Sequence, residues 1–111
     1  MPVEVTARHL EASDGLQDYA RRKAEALMED FPRVEFVHVI LDAEKHRQIA
    51  EVVVQAKNKI RAEAKEVSDN MKASIDVAVE KVERQLRKLR DKIQDHKTAM
   101  RHEELNRDRS L

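Results

Sequence analysis

Between residues 70 and 96 the chain carries no glycine and no proline, and Ile75, Val79, Val82, Leu86, Leu89 and Ile93 recur every three or four positions. At roughly 100° per residue, all six fall within about 40° of one line along a helix. The segment therefore reads as a long helix with a narrow, continuous apolar stripe. Such a stripe needs cover, and cover comes from a second layer of structure.

The upstream segments are suited to supply that layer. Residues 3–8 alternate Val3, Val5 and Ala7 with Glu4, Thr6 and Arg8, a period-2 strand pattern. Residues 34–42 and 49–57 are β-branched and mostly apolar, so each reads as a strand buried on at least one face. Residues 60–67 set Ile60, Ala62 and Ala64 against Arg61, Glu63 and Lys65. Before them, Ser13 or Asp14 is a candidate N-cap for a first helix, with Leu16, Tyr19, Ala20, Ala24, Leu27 and Phe31 on one face and Pro32 at its end. Ser68 or Asp69 would cap the long helix. The order is β-α-β-β-β-α, an α+β chain in which two helices pack on one face of a four-stranded sheet. The opposite sheet face is expected to be exposed and charged, and Tyr19, Phe31 and Phe36 to lie in the core. Residues 1–97 form one domain in this reading, and residues 98–111 a mobile polar tail.

Charge is unevenly spread although the 111-residue chain is formally neutral: residues 1–80 hold 12 Lys/Arg against 16 Asp/Glu, while residues 81–101 hold 8 against 3. On the helical projection Lys81, Arg84, Lys88 and Lys92 form a ribbon on the back of the long helix, with Arg87 on its flank beside Asp76, Glu80 and Asp91. Three readings of this ribbon remain open on pattern alone. It could be a solvated face, which most charge runs are. It could be the outside of a coiled coil, since the stripe also satisfies a heptad. It could also hold phosphate, because the four cations span about 16 Å of helix and successive backbone phosphates repeat on that scale. The strands weaken the coiled-coil reading, since their apolar face calls for the same stripe.

Several chemistries find no support. There is one glycine, Gly15, so neither a phosphate-cradling loop nor a dinucleotide turn can be built. The chain has no cysteine, hence no disulfide or thiolate metal site. Histidines at 9, 38, 46, 96 and 102 are scattered, and the His-Glu pair at 102–103 lacks the second histidine of a zinc-protease helix. His38 reads as a packed or edge residue. No catalytic group, metal or cofactor is expected. No apolar run reaches the roughly 20 residues of a membrane span, and no signal-peptide pattern opens the chain, so a cytoplasmic protein without a membrane partner is expected. With few aromatic residues, an RNA partner would be recognised by shape and backbone charge rather than by stacking.

The stretches 3–27 and 70–92, above all Ala73-Ser74-Ile75-Asp76 followed by Glu80-Lys81-Val82-Glu83-Arg84-Gln85-Leu86-Arg87-Lys88, resemble the ribosome hibernation promoting factors, a family also known as ribosome-associated inhibitor A and sigma-54 modulation protein. The resemblance covers about residues 2–97 and is to the short form. It implies a fold similar to a double-stranded-RNA-binding domain. It also implies binding to the small (30S) ribosomal subunit and its ribosomal RNA in the mRNA/tRNA channel, and inhibition of translation under stress or in stationary phase. The family's signature cations fall on Lys81, Arg84 and Lys88. Lys23 matches a basic position of the first helix, with Arg22 beside it, and Arg61 and Lys65 add charge on the last strand. A second hibernation factor is a further candidate partner, and the free protein is expected to be monomeric. The sequence departs from the family where Lys72 stands in place of a tyrosine. A protein-interaction module dimerising through its long helix is the alternative.

Overall fold

The structure, a computed structural model, describes the backbone of residues 2–101 and the side chains of residues 2–90. In chain order it contains strand β1 (Val3–Arg8), helix α1 (Asp14–Asp30), strands β2 (Val34–Glu44) and β3 (Arg47–Ala56), a 3-10 turn (Lys57–Lys59), strand β4 (Ile60–Ser68) and helix α2 (Met71–Arg101). The sheet order is β1-β2-β3-β4, with β1 parallel to β2 and the other neighbours antiparallel. Helix α1 lies over β1 and β2, and α2 over β3 and β4, both on one face. This is the α+β architecture expected from the period of each segment.

The core lies between the two layers. Val37, Val39 and Leu41 of β2, Ala50, Val52 and Val54 of β3 and Ala62 of β4 face Ala20, Ala24 and Leu27 of α1 and Ile75, Ala78, Val79, Val82 and Leu86 of α2. Burial of apolar area on this scale is the main favourable contribution to folding. Ser13 caps α1, its hydroxyl accepting from the Leu16 amide at 3.1 Å, and Pro32 follows the helix end. Helix α2 is capped by Asn70, not by Ser68 or Asp69: the Ala73 amide donates to Asn70 Oδ1 at 3.1 Å. Ser68 instead donates to the Asn70 carbonyl at 2.7 Å, and the buried Ser74 hydroxyl donates to the Gln48 carbonyl at 2.7 Å. These bonds pin the start of α2 to β3.

The open face of the sheet differs from expectation. Phe36, Ile40, Ile49 and Val53 lie on it half-buried, and Val67 is exposed, so apolar side chains share this face with the charges, Glu51 among them. Phe36 is not a core residue; its ring meets His38 edge-on at 6.3 Å. The cause is a bulge between Val34 and Phe36 in the β2–β3 register. One extra residue flips every later side chain to the other face, so Val37, Val39 and Leu41 turn inward and Phe36 turns out. His38 bonds Thr6 at 2.8 Å, a packed histidine as expected.

The α2 backbone stays helical through Arg101, so residues 98–101 of the expected tail continue the helix, and residues 102–111 lie outside the described residues.

Candidate nucleic-acid interface

Helix α2 turns its stripe inward as far as Leu86, which leaves 6% of that side chain's residue surface accessible. The opposite face then has to meet solvent. Lys81, Arg84 and Lys88 are all exposed there, and they follow one another along the helix. A coiled coil through this stripe would need the residues that already cover the sheet. Lys92 continues the ribbon in sequence, but its side chain lies outside the described residues.

Two contacts set the ribbon's position. The Gln85 side chain accepts from the Glu63 amide at 3.2 Å and donates to the Glu63 carbonyl at 2.8 Å, so it pairs with the edge of β4 as a neighbouring strand would. One turn earlier, the Lys81 ammonium meets Glu66 of β4 at 3.0 Å. That bond, with the Val67 amide, holds the Glu66 carboxyl below its ordinary range. Arg84 and Lys88 have no ion-pair partner among the described residues. They are the ribbon cations most available to an anion.

The other expected site residues are distributed differently. Arg87 pairs with Glu83 at 2.9 Å on the flank of α2 that faces α1. Lys23 lies 3.5 Å from Asp76 of α2 and 5.5 Å from the centre of the Tyr19 ring. Lys72 approaches the same ring at 5.4 Å, and the Tyr19 hydroxyl donates to Asp76. Lys23 thus closes the seam between the helices. Arg22 is exposed on the outer face of α1, without a partner among the described residues. Arg61 and Lys65 point to the open face of the sheet, away from the helices; Arg61 pairs with Glu63 at 3.1 Å and Lys65 stands opposite Glu51. The fold therefore gathers Lys81, Arg84 and Lys88 on one face and leaves Arg61 and Lys65 around the β4 edge from them.

Three cations were passed over in the sequence. Lys57 and Lys59 flank Asn58 at the β3–β4 turn, and Arg33 is joined to them because the Lys57 amide donates to the Arg33 carbonyl at 2.9 Å. All three are exposed. The Lys-Asn-Lys pattern marks a turn, but only the strand register brings Arg33 beside it. Among the described residues, no group of three or more His, Cys, Asp or Glu is arranged to hold a metal ion, and no helix is long and apolar enough to cross a membrane.

The fold and this face define a small α+β domain with a basic helix surface. Residues 3–94 match the family described as sigma 54 modulation protein / S30EA ribosomal protein, and the chain belongs to that family. Among its relatives, the ribosome hibernation promoting factor of Klebsiella oxytoca is 31% identical over 97 residues, covering 86% of this chain and 100% of the relative. That of Azotobacter vinelandii is 32% identical over 92 residues, covering 83% and 85%. In fold, the chain is similar to a ribosomal subunit interface protein from Coxiella burnetii (TM-score 0.74, 22% identity, 82% of this chain and 99% of that one). It is also similar to the N-terminal domain of Thermus thermophilus Protein Y (TM-score 0.71, 25% identity, 80% and 99%).

Proposed function

We propose that this protein is a ribosome hibernation factor that binds the small ribosomal subunit in the mRNA/tRNA channel and inhibits translation by occupying it, under stress or in stationary phase. The names of its relatives support the hibernation role. The observation that carries the mode of binding is the two-sidedness of α2. Its stripe is buried against the sheet as far as Leu86, while Lys81, Arg84 and Lys88 share the opposite face, two of them without an ion-pair partner among the described residues. Such a row suits successive RNA phosphates, and phosphate contacts position a protein without reading bases. The role needs no catalytic group, and a cytoplasmic location follows from it. Lys92 would extend the row, and Arg22, Arg87, Arg61 and Lys65 would add weaker contacts at its margins. Residues 1–97 would act as the ribosome-binding domain.

The test is co-sedimentation with purified 30S subunits across a salt series, with and without tRNA in the P site. Binding should fall steeply with salt and be lost to tRNA. Replacing Lys81, Arg84 and Lys88 together by Glu should weaken binding on the order of 100-fold at 0.1 M salt, through lost counterion release and added repulsion, and leave the fold intact. Unchanged affinity in that triple variant, or binding indifferent to tRNA, would overturn the reading.

A further inference from the structure

The two hairpin turns sit at opposite ends of the sheet and differ in electrostatic setting. The β2–β3 turn carries Lys45, His46 and Arg47, but Asp42 and Glu44 precede it in β2. The adjoining chain ends at that side add Asp14 at the start of α1, Asp69 before α2, Arg8 opposite Asp42 and Lys72 in the first turn of α2, so cations and acids are mixed there. The β3–β4 turn carries Lys57 and Lys59, and its hydrogen-bonded neighbour is Arg33. None of these three has an ion-pair partner among the described residues. Asp30 and Glu35 flank Arg33, fewer acids than cations. Both turns use the left-handed region, at Lys45 (φ 58°) in the first and at Asn58 (φ 66°) and Lys59 (φ 61°) in the second. Their charged neighbours differ.

The same end receives the ribbon. Both helices run from the β2–β3 end toward the β3–β4 turn: Tyr19 meets Asp76 early in each helix, and Arg90 lies 5.4 Å over the Phe31 ring at the end of α1. Gln85 is bonded to Glu63, so Lys88, one turn further on, advances along β4 toward Lys59. Along α2 the row Lys81, Arg84, Lys88 therefore leads to the cluster of Arg33, Lys57 and Lys59.

We propose that the β3–β4 turn is a second phosphate-binding element, in which Arg33, Lys57 and Lys59 take the RNA backbone continuing past Lys88, so that the molecule lies on RNA with this end inward and its end of mixed charge outward. This rests on the ribosomal reading above and extends it by an element outside the ribbon. A charge-polarised domain is oriented by an anionic partner before contact, and a turn at the leading end makes those contacts without disturbing the core.

The experiment measures 30S binding of the full chain against salt for four proteins. They are the wild type, R33Q/K57Q/K59Q, the opposite-turn control K45Q/R47Q, and the ribbon variant R84Q/K88Q, each checked for an unchanged thermal midpoint. Three lost phosphate contacts should lower the slope of log affinity on log salt by about 2 to 3, so that the deficit against wild type narrows roughly 30-fold between 50 and 200 mM. The control should keep the wild-type slope. A wild-type slope in R33Q/K57Q/K59Q, alongside a reduced slope in R84Q/K88Q, overturns the turn element and leaves the ribosomal reading standing. Equal losses in both turn variants overturn it too, since net charge alone would then explain them. No 30S binding by the wild type at any salt overturns both.

Discussion

Helices α1 and α2 run the same way across the same sheet face, yet their outer faces are opposite in sign. The exposed residues of α1 include Asp14, Asp18, Glu25 and Glu29 against Arg22 alone. Those of α2 include Lys81, Arg84, Arg87 and Lys88 against Glu80. The inner faces do the same work: each buries a stripe over two strands, with the small Ala20 and Ala24 on α1 and the larger Ile75, Val82 and Leu86 on α2. Folding requires the stripes but is indifferent to the sign of the outer charge, because exposed ion pairs contribute only about 0 to 1 kcal/mol. Sorting charge by helix is therefore not required by stability, and it accords with the proposal that α2 faces the partner.

The largest expected effect tests whether the α2 stripe belongs to the fold. Leu86→Asp would place a carboxylate in the core and destabilise the domain by about 3 kcal/mol or more, seen as a lowered urea midpoint. A variant that stays folded and only dissociates from a dimer would make the stripe a seam between chains and remove the contrast between the helices. Next comes Gln85→Leu, which breaks both bonds to the β4 edge and should cost about 1 to 2 kcal/mol. It should also raise self-association in sedimentation velocity, since an uncapped edge strand pairs readily. The matching change on α1, Gln17→Leu, removes only a local bond to the Ala12 carbonyl and should stay within about 0.5 kcal/mol.

Smaller effects probe the pairs that join the elements. Tyr19→Phe removes the hydroxyl bonded to Asp76 and should cost about 1 kcal/mol at neutral pH. In the wild type that bond, reinforced by burial, raises the Tyr19 pKa above 10.0. The neutral phenol is the form the fold favours, so its contribution is present below pH 10 and is lost as pH rises through the folded value. Alkaline thermal melts should show the wild type losing more than Tyr19→Phe. The smallest change is Glu66→Gln. The lowered Glu66 pKa means that its pair with Lys81 stabilises the fold above the ordinary value of 4.5 and fades as pH falls through the lowered one. The thermal midpoint of Glu66→Gln should therefore fall less than that of the wild type as the pH is taken below 4.5. At neutral pH the freed Lys81 should steepen the salt dependence of 30S binding by up to about 1.

Much of this was legible in the residues because it is periodic. The α2 stripe as far as Leu86, the alternation of β1 and β4, the cap at Ser13 and the stop at Pro32 are local patterns, and each appears where it was expected. Phe36 was misread because residues 34–42 are apolar on both parities, so nothing local says which set faces in. The bulge after Val34 decides that, and it exists only against β3. The cap of α2 was misread because Ser68, Asp69 and Asn70 are all good capping residues; Ser68 is engaged with the Asn70 carbonyl and the Ser74 hydroxyl, and Asn70 is left to cap.

By itself, then, the sequence determined the elements, the inward faces of the two helices and of β1 and β4, the ribbon on the back of α2 and the family to which the chain belongs, since helix and strand periods are properties of consecutive residues. Tertiary structure alone decided which cations remain available. Glu66 takes Lys81, Asp76 takes Lys23, Glu63 takes Arg61, and Arg33 arrives beside Lys57 and Lys59. Apart from the local pair of Arg61 and Glu63, these neighbours are distant in the chain. Register and packing bring them together, and a charge acts on whatever lies within a few ångströms of it, wherever that group stands in the sequence.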